Sequence, residues 1–279
     1  MSMLAGSGEE YRKILLSFGL IMAPGKKARD ALHYYLSSCK PLPRARCVHR
    51  IGWHGRQYVL PNEVIGTNGD ERPVLQGQVA GNPFRTKGSL ADWQQHVGRL
   101  CVGNSRLLLA VSAALAGPIL ELAGAENGGI HFYGPSSSGK TTVLQAASSV
   151  LGGGGVRGFI QNWRTTDNGL EAVAAKHCDA TLLLDELGQA DAKVAGSTAY
   201  MLANGIGKQR AKRDGSQREP HEWRLFFVST GEITLSDKVR EDQRKKVMAG
   251  QQVRIMDIPA DAGAGTGIFD TIHGFENGD

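Results

Sequence analysis

The chain has 279 residues, 41% of them hydrophobic and 21% charged, which is enough for one large or two modest hydrophobic cores and excludes a low-complexity or wholly disordered chain. Its 32 Lys and Arg residues exceed its 27 Asp and Glu residues, giving a net charge of +5 at pH 7. That excess fits a polyanionic partner, but it is mild enough for an ordinary soluble protein and decides nothing by itself.

Cysteine usage and the N-terminus bear on location. Four cysteines are present: Cys39, Cys47, Cys101 and Cys178. They form no CxxC pair, and a chain of this length needs no disulfides, so a reducing cytoplasm is the expected location. A zinc site that combines Cys39 and Cys47 with nearby histidines is disfavoured, because the spacing matches no standard finger. No secretion signal is expected, since the N-terminus lacks a basic start followed by an apolar run.

Residues 1–85 are predicted to form a small mixed α/β domain. Its expected elements are two helices, residues 11–21 and 28–37, and two short strands, residues 48–51 and 57–60. Turn-forming residues at 68–70 and 81–83 then place a domain boundary near residue 86.

A helical lead-in is predicted over residues 86–128. Ser89 is a good N-cap for one helix, and Asn104 is expected to cap a second, strongly apolar helix that continues to Ala116. The apolar stretch 107–120 falls short of the roughly 20 residues that a bilayer requires. We therefore expect a buried helix and no membrane association.

From residue 129 onwards, strand and helix patterns alternate. The expected strands are residues 130–133, 181–184 and 225–228, and the expected helices are residues 140–151, 168–177 and 197–202. This alternation is typical of a parallel sheet covered by helices. The predicted fold class is therefore α/β.

A phosphate-binding loop is predicted between the first of these strands and the helix that follows it. Residues 134–141 match the Walker A pattern GxxxxGK[ST] completely, in the strand–loop–helix context that the pattern requires. The glycines let backbone N–H groups cradle phosphate oxygens, Lys140 would reach the β- and γ-phosphates, and Thr141 would bind Mg²⁺. The predicted ligands are thus ATP and Mg²⁺, held by a P-loop NTPase core over residues 129–279. The predicted nucleotide-binding residues are Gly134, Pro135, Ser136, Ser137, Ser138, Gly139, Lys140, Thr141 and Thr142.

A Walker B motif is predicted at residues 181–186. An apolar strand there ends in Asp185 and Glu186, which places both acids at the carboxyl edge of the sheet, beside the loop. We expect Asp185 to hold Mg²⁺ and Glu186 to act as the general base that polarises the attacking water.

A third apolar strand, residues 225–228, is followed by Ser229 and Thr230. A hydroxyl group at this position can lie between the acidic strand and the loop and sense the γ-phosphate. We favour Thr230 over Ser229 as this sensor. A plain strand end with a local hydroxyl turn is the alternative.

Between the second and third of these motifs lies a basic segment. Four of the six residues 208–213 are cationic: Lys208, Arg210, Lys212 and Arg213. Alternation places the first three on one face of an extended strand, and Asp214-Gly215 is a hairpin-turn signal. The pattern predicts a β-hairpin with a basic tip that grips the nucleic-acid backbone. A solvated charged hairpin is the alternative.

In this order and this close together, these motifs give residues 129–230 a resemblance to the superfamily-three helicases, a branch of the AAA+-like ATPases of viruses, phages and plasmids. A wider stretch, from about residue 10 onwards, is similar to domain of unknown function family 927. The segments that carry the second resemblance are residues 52–54, 58–61, 88–93, 163–171, 184–187 and 253–259. One departure is that superfamily-three proteins usually have Asn where this chain has Ser229 and Thr230.

The resemblance implies a ring-forming, DNA-acting ATPase: a replicative helicase or translocase of a phage or mobile element. It implies single-stranded DNA as partner, a homo-oligomeric ring such as a hexamer, and a primase either as partner or fused in a longer polypeptide. It also implies that Arg254, on a strand-like segment ended by Pro259, reaches the γ-phosphate of a neighbouring subunit. The alternative for Arg254 is a structural ion pair with Asp257 or another acid.

Two other functions remain open from the sequence. One is a P-loop kinase or phosphotransferase, which the water-activating position of Glu186 disfavours. The other is a nucleotide-switch initiator that binds DNA without moving along it.

Overall fold

The computed structural model describes the chain except for residues 1–5, 41–44, 67–70, 77–81, 154, 156–157, 165, 209, 212–216, 219, 242–253 and 277–279. The chain divides into two compact units, Met1–Ala45 and Arg46–Asp279. The boundary expected near residue 86 falls inside the second unit. The division into an N-terminal domain, a lead-in and a core therefore stays a prediction.

The first unit contains two helices, α1 (Glu9–Ser17) and α2 (Lys26–Ser38). Tyr11 is buried, and its hydroxyl group lies 3.2 Å from His33 Nδ1. The helix predicted over residues 11–21 ends earlier, because Gly19 has φ 89° and donates to the Leu16 carbonyl. A left-handed glycine at this position closes a helix.

Short strands follow, the first beginning at Ala45, the last residue of the first unit. Their bounds are β1 (Ala45–Val48), β2 (Gly52–His54), β3 (Gln57–Val59), β4 (Val64–Gly66) and β5 (Arg72–Leu75). Strands β2, β3 and β4 form one antiparallel sheet in that order, and β1 pairs with β5.

A buried carboxylate attaches the small three-stranded sheet to the core. Asp179 is fully buried and accepts hydrogen bonds from Trp53 N at 2.9 Å and from Arg224 Nε at 2.7 Å. Arg50 Nη1 lies 3.2 Å from the same carboxylate. Since a buried charge is tolerated only when it is paired and hydrogen-bonded, these contacts fix β2 against the turn before the central sheet.

Helices are present in the segment predicted as a helical lead-in. Its elements are α3 (Leu90–Trp93), a π-helical turn (Gln94–Gly98), α4 (Arg99–Cys101) and α5 (Ser105–Ala123). Ser89 caps α3 in a capping box with Asp92. The predicted cap by Asn104 is wrong in detail: its side chain makes no cap hydrogen bond, and Asp270 accepts from Ser105 N at 2.6 Å instead.

The core is a five-stranded parallel sheet in the order β12-β6-β11-β8-β7. Its strands are β6 (Gly128–Tyr133), β7 (Gln161–Asn162), β8 (Ala180–Asp185), β11 (Leu225–Gly231) and β12 (Ile255–Pro259). The remaining helices are α6 (Lys140–Leu151), α7 (Asp167–Ala175), α8 (Ala192–Asn204) and α9 (Leu235–Arg240), with a 3-10 turn at Leu187–Gln189. The predicted α/β fold class is confirmed.

Both faces of this sheet are covered, which explains the apolar runs in its strands. Leu182 and Leu184 project to the face covered by α7 and α8. Leu183 projects to the opposite face, where α5 and α6 pack. At Gly117 of α5, a Cβ atom would lie 2.3 Å from the Ala180 carbonyl carbon, so only glycine allows α5 to approach β8 this closely.

Among the described residues, one helix, α5, is long and apolar enough to cross a membrane, with 39% of its apolar window buried. Its buried residues pack in the same apolar cluster as Ile130 and Leu183 of the sheet. This agrees with the expectation of a core helix.

Candidate functional site

The Walker A residues form a tight loop between β6 and α6. Gly139 has φ 85°, and a Cβ atom there would lie 2.7 Å from Ile268 Cγ1, so both backbone strain and lack of space require glycine. Ile268 N also donates to the Ser138 carbonyl at 3.1 Å. The loop therefore presents the amino end of α6, where backbone N–H groups lack partners within the helix and attract anions.

Lys140 folds back over the loop. Its Nζ donates to the carbonyls of Gly134 at 2.8 Å and Pro135 at 2.6 Å. Partial burial lowers the pKa of the Lys140 ammonium below its usual value, while the carboxylates of Glu232 and Asp185 oppose this effect. The cation is thus held where phosphate oxygens would replace the two carbonyls.

The two Walker B acids lie at the carboxyl end of β8. β11 pairs with β8 in parallel register, with Ser229 opposite Leu184, so the next residue of β11 lies beside Asp185. Thr230 Oγ1 donates a hydrogen bond to Asp185 Oδ1, and Glu186 N donates to the same oxygen at 3.0 Å. The predicted metal ligand and the predicted sensor are therefore in direct contact.

Ser229 lies on the other side of β11 and serves a different purpose. Its hydroxyl group accepts from Trp163 Nε1 at 2.8 Å and lies 2.9 Å from His131 Nδ1. His131 Nε2 lies 3.0 Å from the Ile233 carbonyl, which can only accept, so Nε2 carries the proton and Nδ1 accepts from Ser229. Ser229 is thus a buried packing residue, and the structure separates it from the site that Thr230 faces.

Glu186 is held in an uncommon backbone conformation. Its φ is 61°, in the left-handed region that few non-glycine residues adopt. Gln189 Nε2 donates a hydrogen bond to Glu186 Oε2 from the 3-10 turn that follows. A strained backbone at a residue whose carboxylate is hydrogen-bonded by a neighbouring amide is the kind of feature that clusters at active sites.

One cavity of about 610 Å³ unites these side chains. Its lining includes the predicted residues Ser136, Ser137, Gly139, Lys140, Thr141, Thr142, Asp185, Glu186 and Thr230. It also includes Gln189 and Glu232, which the sequence did not suggest. Glu232 lies just beyond Thr230, so the rule that residues after parallel strands meet at one edge could have found it. The Thr141 hydroxyl and the Asp185 carboxylate supply the hard oxygen ligands that Mg²⁺ prefers.

A second cavity, of about 490 Å³, lies along α6. Thr142 lines both cavities. The second cavity is mainly apolar, with Val97 and Leu100 on one side and Phe269 and Ile272 on another. We call it the nucleoside cavity, since it lies next to the phosphate loop.

Arg254 lies at the opposite edge of the sheet. It precedes Ile255, which pairs with Gly129 at the start of β6, whereas the phosphate loop follows the end of β6. β6 has 6 residues, so about 20 Å separates the two edges. Arg254 Nη2 lies 3.1 Å from Glu126 Oε2, and its Nη1 donates to Asn204 Oδ1. Its observed partners are thus those of an ion pair in its own chain, and the role in a neighbouring subunit stays a prediction.

The described residues include two paired strands of the predicted hairpin. β9 (Arg210–Ala211) pairs antiparallel with β10 (Gln217–Arg218), and Gly207 N donates to the His221 carbonyl at 2.8 Å nearer the base. Lys208 is exposed on this stem. Lys212 and Arg213, with the tip, lie outside the described residues.

In the part of the chain that the structure describes, no three His, Cys, Asp or Glu side chains are grouped to hold a metal ion.

The fold and the phosphate loop together define a P-loop NTPase.

The comparisons with known proteins identify the family. The model described as Domain of unknown function (DUF927) matches residues 1–222, so the chain belongs to that family. This confirms the resemblance found in the sequence. A comparison with curated proteins gave no match.

Solved structures resemble parts of the chain. A structure described as SCCmec type IV Cch, active helicase, matches with a TM-score of 0.70 at 20% identity, over 92% of this chain and 48% of that chain. The chain therefore spans about half the length of that helicase. The Hsp104–ADP complex of S. cerevisiae matches with a TM-score of 0.34 at 15% identity, over 63% of this chain and 37% of that chain.

Proposed function

We propose that this chain is an ATP-hydrolysing, DNA-acting motor module, a helicase or translocase in the replication of a phage or mobile element. The observation that carries the proposal is the single cavity that brings Lys140, Asp185, Glu186 and Thr230 to one edge of the sheet. The match to a structure described as an active helicase of an SCCmec element supports it at the level of the fold.

The phosphate end of ATP binds through this chain's own groups. Phosphate oxygens take the place of the Gly134 and Pro135 carbonyls as partners of Lys140, and the amino end of α6 attracts their charge. Thr141 and Asp185 would hold a Mg²⁺ ion, which would neutralise charge on the β- and γ-phosphates. The nucleoside cavity receives the base between apolar side chains such as Leu100 and Phe269.

Hydrolysis then requires a proton acceptor and a γ-phosphate contact. Glu186 accepts the proton of the attacking water, and its hydrogen bond from Gln189 fixes the carboxylate in place. Thr230 donates either to Asp185, as in the structure, or to the γ-phosphate, so its hydroxyl group links the metal ligand to the state of the nucleotide. Because this acid activates water rather than an acceptor hydroxyl group, the site favours hydrolysis over phosphotransfer to a small molecule.

The nucleic-acid contact is assigned to the basic hairpin, through Lys208, Arg210, Lys212 and Arg213. The hairpin leaves the core between α8 and β11, at the edge of the sheet away from the phosphate loop. Cations on a projecting stem neutralise backbone phosphates without reading sequence, which suits a motor that moves along single-stranded DNA.

The assembly is assigned as a ring, such as a hexamer, with Arg254 acting on a neighbouring subunit. About 20 Å separates Arg254 from its own phosphate loop, so any contact with a γ-phosphate has to be made in trans. The ion pair with Glu126 is the alternative role. A primase, as partner or as another part of a longer polypeptide, completes the proposed replication context.

The experiment that tests this function is ATP-dependent strand displacement. The chain is incubated with ATP, Mg²⁺ and a forked DNA duplex that carries a fluorophore and a quencher, with Lys140→Ala as the control. Displacement by the wild type and not by the control supports a helicase. Hydrolysis without displacement would favour the nucleotide-switch initiator, and transfer of the γ-phosphate to a small acceptor would favour the kinase.

A further inference from the structure

A third cavity, of about 920 Å³, lies at the far end of α6 from the phosphate loop. Helix α6 has 12 residues, so its two ends are about 18 Å apart. We call this cavity the basic groove. Its described lining includes Arg85, Lys87, Trp93, Lys176 and His177. The nucleotide site described above gives these side chains no role.

The lining of the basic groove is positively charged. Three of its lining side chains carry positive charge, Arg85, Lys87 and Lys176, and no Asp or Glu is among its described lining residues. Arg85 and Lys87 are exposed, so they reach solvent at the mouth. Cations in a cleft without carboxylates attract polyanions, because the wall focuses their field.

Glycines form another part of the lining. A Cβ atom on Gly152 would lie 2.0 Å from the Arg85 carbonyl oxygen, so the loop after α6 can approach residues 84–86 only as glycine. Gly153 and Gly158 also line the groove. These glycines therefore allow close backbone packing and add no side chains to the lining of the groove.

Aromatic rings lie beside the cations. Phe84 and Trp93 line the groove, and Trp93 Nε1 donates to Ser149 Oγ at 2.8 Å, which fixes its ring. Phe84 packs edge-on against Phe159, with ring centroids 5.2 Å apart. Apolar ring surface next to cations suits a phosphate that carries a sugar and a base better than it suits a bare phosphate.

His177 forms part of the floor and adds no charge. It is 4% exposed, and burial lowers its pKa to about 4, so it is neutral at physiological pH. Its Nδ1 donates to the Val173 carbonyl at 2.7 Å, while Nε2 has no hydrogen-bond partner among the described residues. A buried acceptor without a donor is unusual, and among the described residues this nitrogen of the floor has none.

We propose that the basic groove binds the backbone of single-stranded nucleic acid, as a second contact separate from the hairpin. The proposal rests on the proposed nucleic-acid function and adds to it a surface on the same helix as the phosphate loop. Ser149 lines both the basic groove and the nucleoside cavity, so the strand would bind against the wall of the nucleotide site.

The test compares matched charge changes. The groove variant replaces Arg85, Lys87 and Lys176 by Gln, and the control variant replaces the exposed cations Lys26, Lys27 and Arg29 of α2 by Gln. Binding of a labelled oligothymidylate is measured by fluorescence anisotropy over a range of salt concentrations. Three lost phosphate contacts should lower the slope of log affinity against log salt by about 2, at roughly 0.7 per contact on a single strand. The control should leave the slope close to that of the wild type.

Two further measurements keep the outcome clear. ATP hydrolysis without DNA should be unchanged in the groove variant, since none of its three residues lines the nucleotide cavity, and this also shows that the variant is folded. A variant with Lys87→Arg and Lys176→Arg should keep the wild-type slope. A mononucleotide should compete weakly, because it offers only one of the phosphates that a strand presents.

Three outcomes would overturn the proposal. One is a groove variant with the same slope as the control. Another is a slope lowered equally in both charge variants. The third is competition by a mononucleotide as effective as that of the strand, which would make the groove a site for free nucleotides. Failure of the wild type to bind any oligonucleotide would instead reject the proposed function itself.

Discussion

Thr230 Oγ1 donates a hydrogen bond to Asp185 Oδ1 across the neighbouring strands β11 and β8. Through this bond, a hydroxyl group at the end of one strand holds the carboxylate of the predicted Mg²⁺ ligand. Ser229, one residue earlier, faces Trp163 and His131 instead. These contacts therefore make Thr230 the candidate γ-phosphate sensor and Ser229 a packing residue.

We predict that Thr230→Val lowers turnover and leaves ATP affinity nearly unchanged. Valine has the same shape but cannot donate to a charged oxygen, and such a hydrogen bond is worth about 1.5–3 kcal/mol, or roughly 10- to 150-fold in rate. The measurement is steady-state ATP hydrolysis alongside binding of a fluorescent nucleotide.

Ser229→Ala should instead lower the free energy of unfolding by about 1–3 kcal/mol, because it leaves the Trp163 and His131 nitrogens unpaired. The opposite pattern, with turnover lost only in Ser229→Ala at unchanged stability, would make Ser229 the sensor.

Lys140 and Glu186 should give different phenotypes although they line the same cavity. Lys140→Ala should abolish nucleotide binding or turnover, because the loop loses its charge for the β- and γ-phosphates. Glu186→Gln should still bind ATP and hydrolyse it slowly, since glutamine can hydrogen-bond water but cannot accept its proton. Nucleotide binding and phosphate release, measured on both variants, check this pair. Wild-type turnover in Glu186→Gln would remove Glu186 as the general base.

The sequence predicted the core of this site and missed its surroundings for physical reasons. Lys140 lies in a glycine-rich loop, and Asp185 and Glu186 lie at the end of an apolar strand. Both are local sequence patterns that few other kinds of site produce. Gln189 and the two partners of Ser229 are defined by contacts across the fold, which composition and spacing do not encode. The cap of α5 shows the same limit: Asn104 is the right residue type in the right place, yet Asp270, far along the chain, supplies the hydrogen bond.

Stability should fall in mild acid because of His177. Burial lowers its pKa from 6.5 to about 4, so the unfolded chain binds a proton at higher pH than the folded chain does. The stability that neutral His177 contributes is therefore fully present above about pH 6.5 and is lost as the pH falls towards 4. The loss is about 3 kcal/mol, at about 1.4 kcal/mol per pKa unit. His177→Phe should flatten this dependence in urea unfolding at several pH values, whereas the exposed His96→Phe should not. If the free energy of unfolding of His177→Phe depends on pH as strongly as that of the wild type, His177 is not the cause of the acid sensitivity.

The hairpin prediction concerns salt dependence. Replacing Lys208, Arg210 and Lys212 by Ala should weaken binding of single-stranded DNA and lower the log–log salt slope by about 2, at roughly 0.7 per lost phosphate contact. Titrations at several salt concentrations measure it, with ATP hydrolysis as the check on folding. An unchanged slope, with hydrolysis still stimulated by DNA, would assign the hairpin to a solvated surface.

Arg254 can be tested by mixing subunits. Arg254→Ala should keep ATP binding and lose turnover by about 10³-fold or more, as arginine fingers do in other systems. Mixing it with Lys140→Ala should restore some activity, at interfaces that join an intact Arg254 to an intact loop. Glu126→Gln is the matched control: it removes the ion pair partner of Arg254 and should leave turnover intact. If the mixture recovers no activity although the subunits exchange, or if both variants lose only stability, Arg254 is a structural ion pair.

The most direct test of a DNA-acting ATPase is ATP hydrolysis by the wild-type chain with and without single-stranded DNA. Phosphate release is followed at saturating ATP and Mg²⁺, with Lys140→Ala as the blank and protein concentration varied to reveal assembly. We predict multiple turnovers that single-stranded DNA accelerates and that Lys140→Ala lacks. Hydrolysis at the level of the blank, or a rate that DNA leaves unchanged at every protein concentration, would contradict this function.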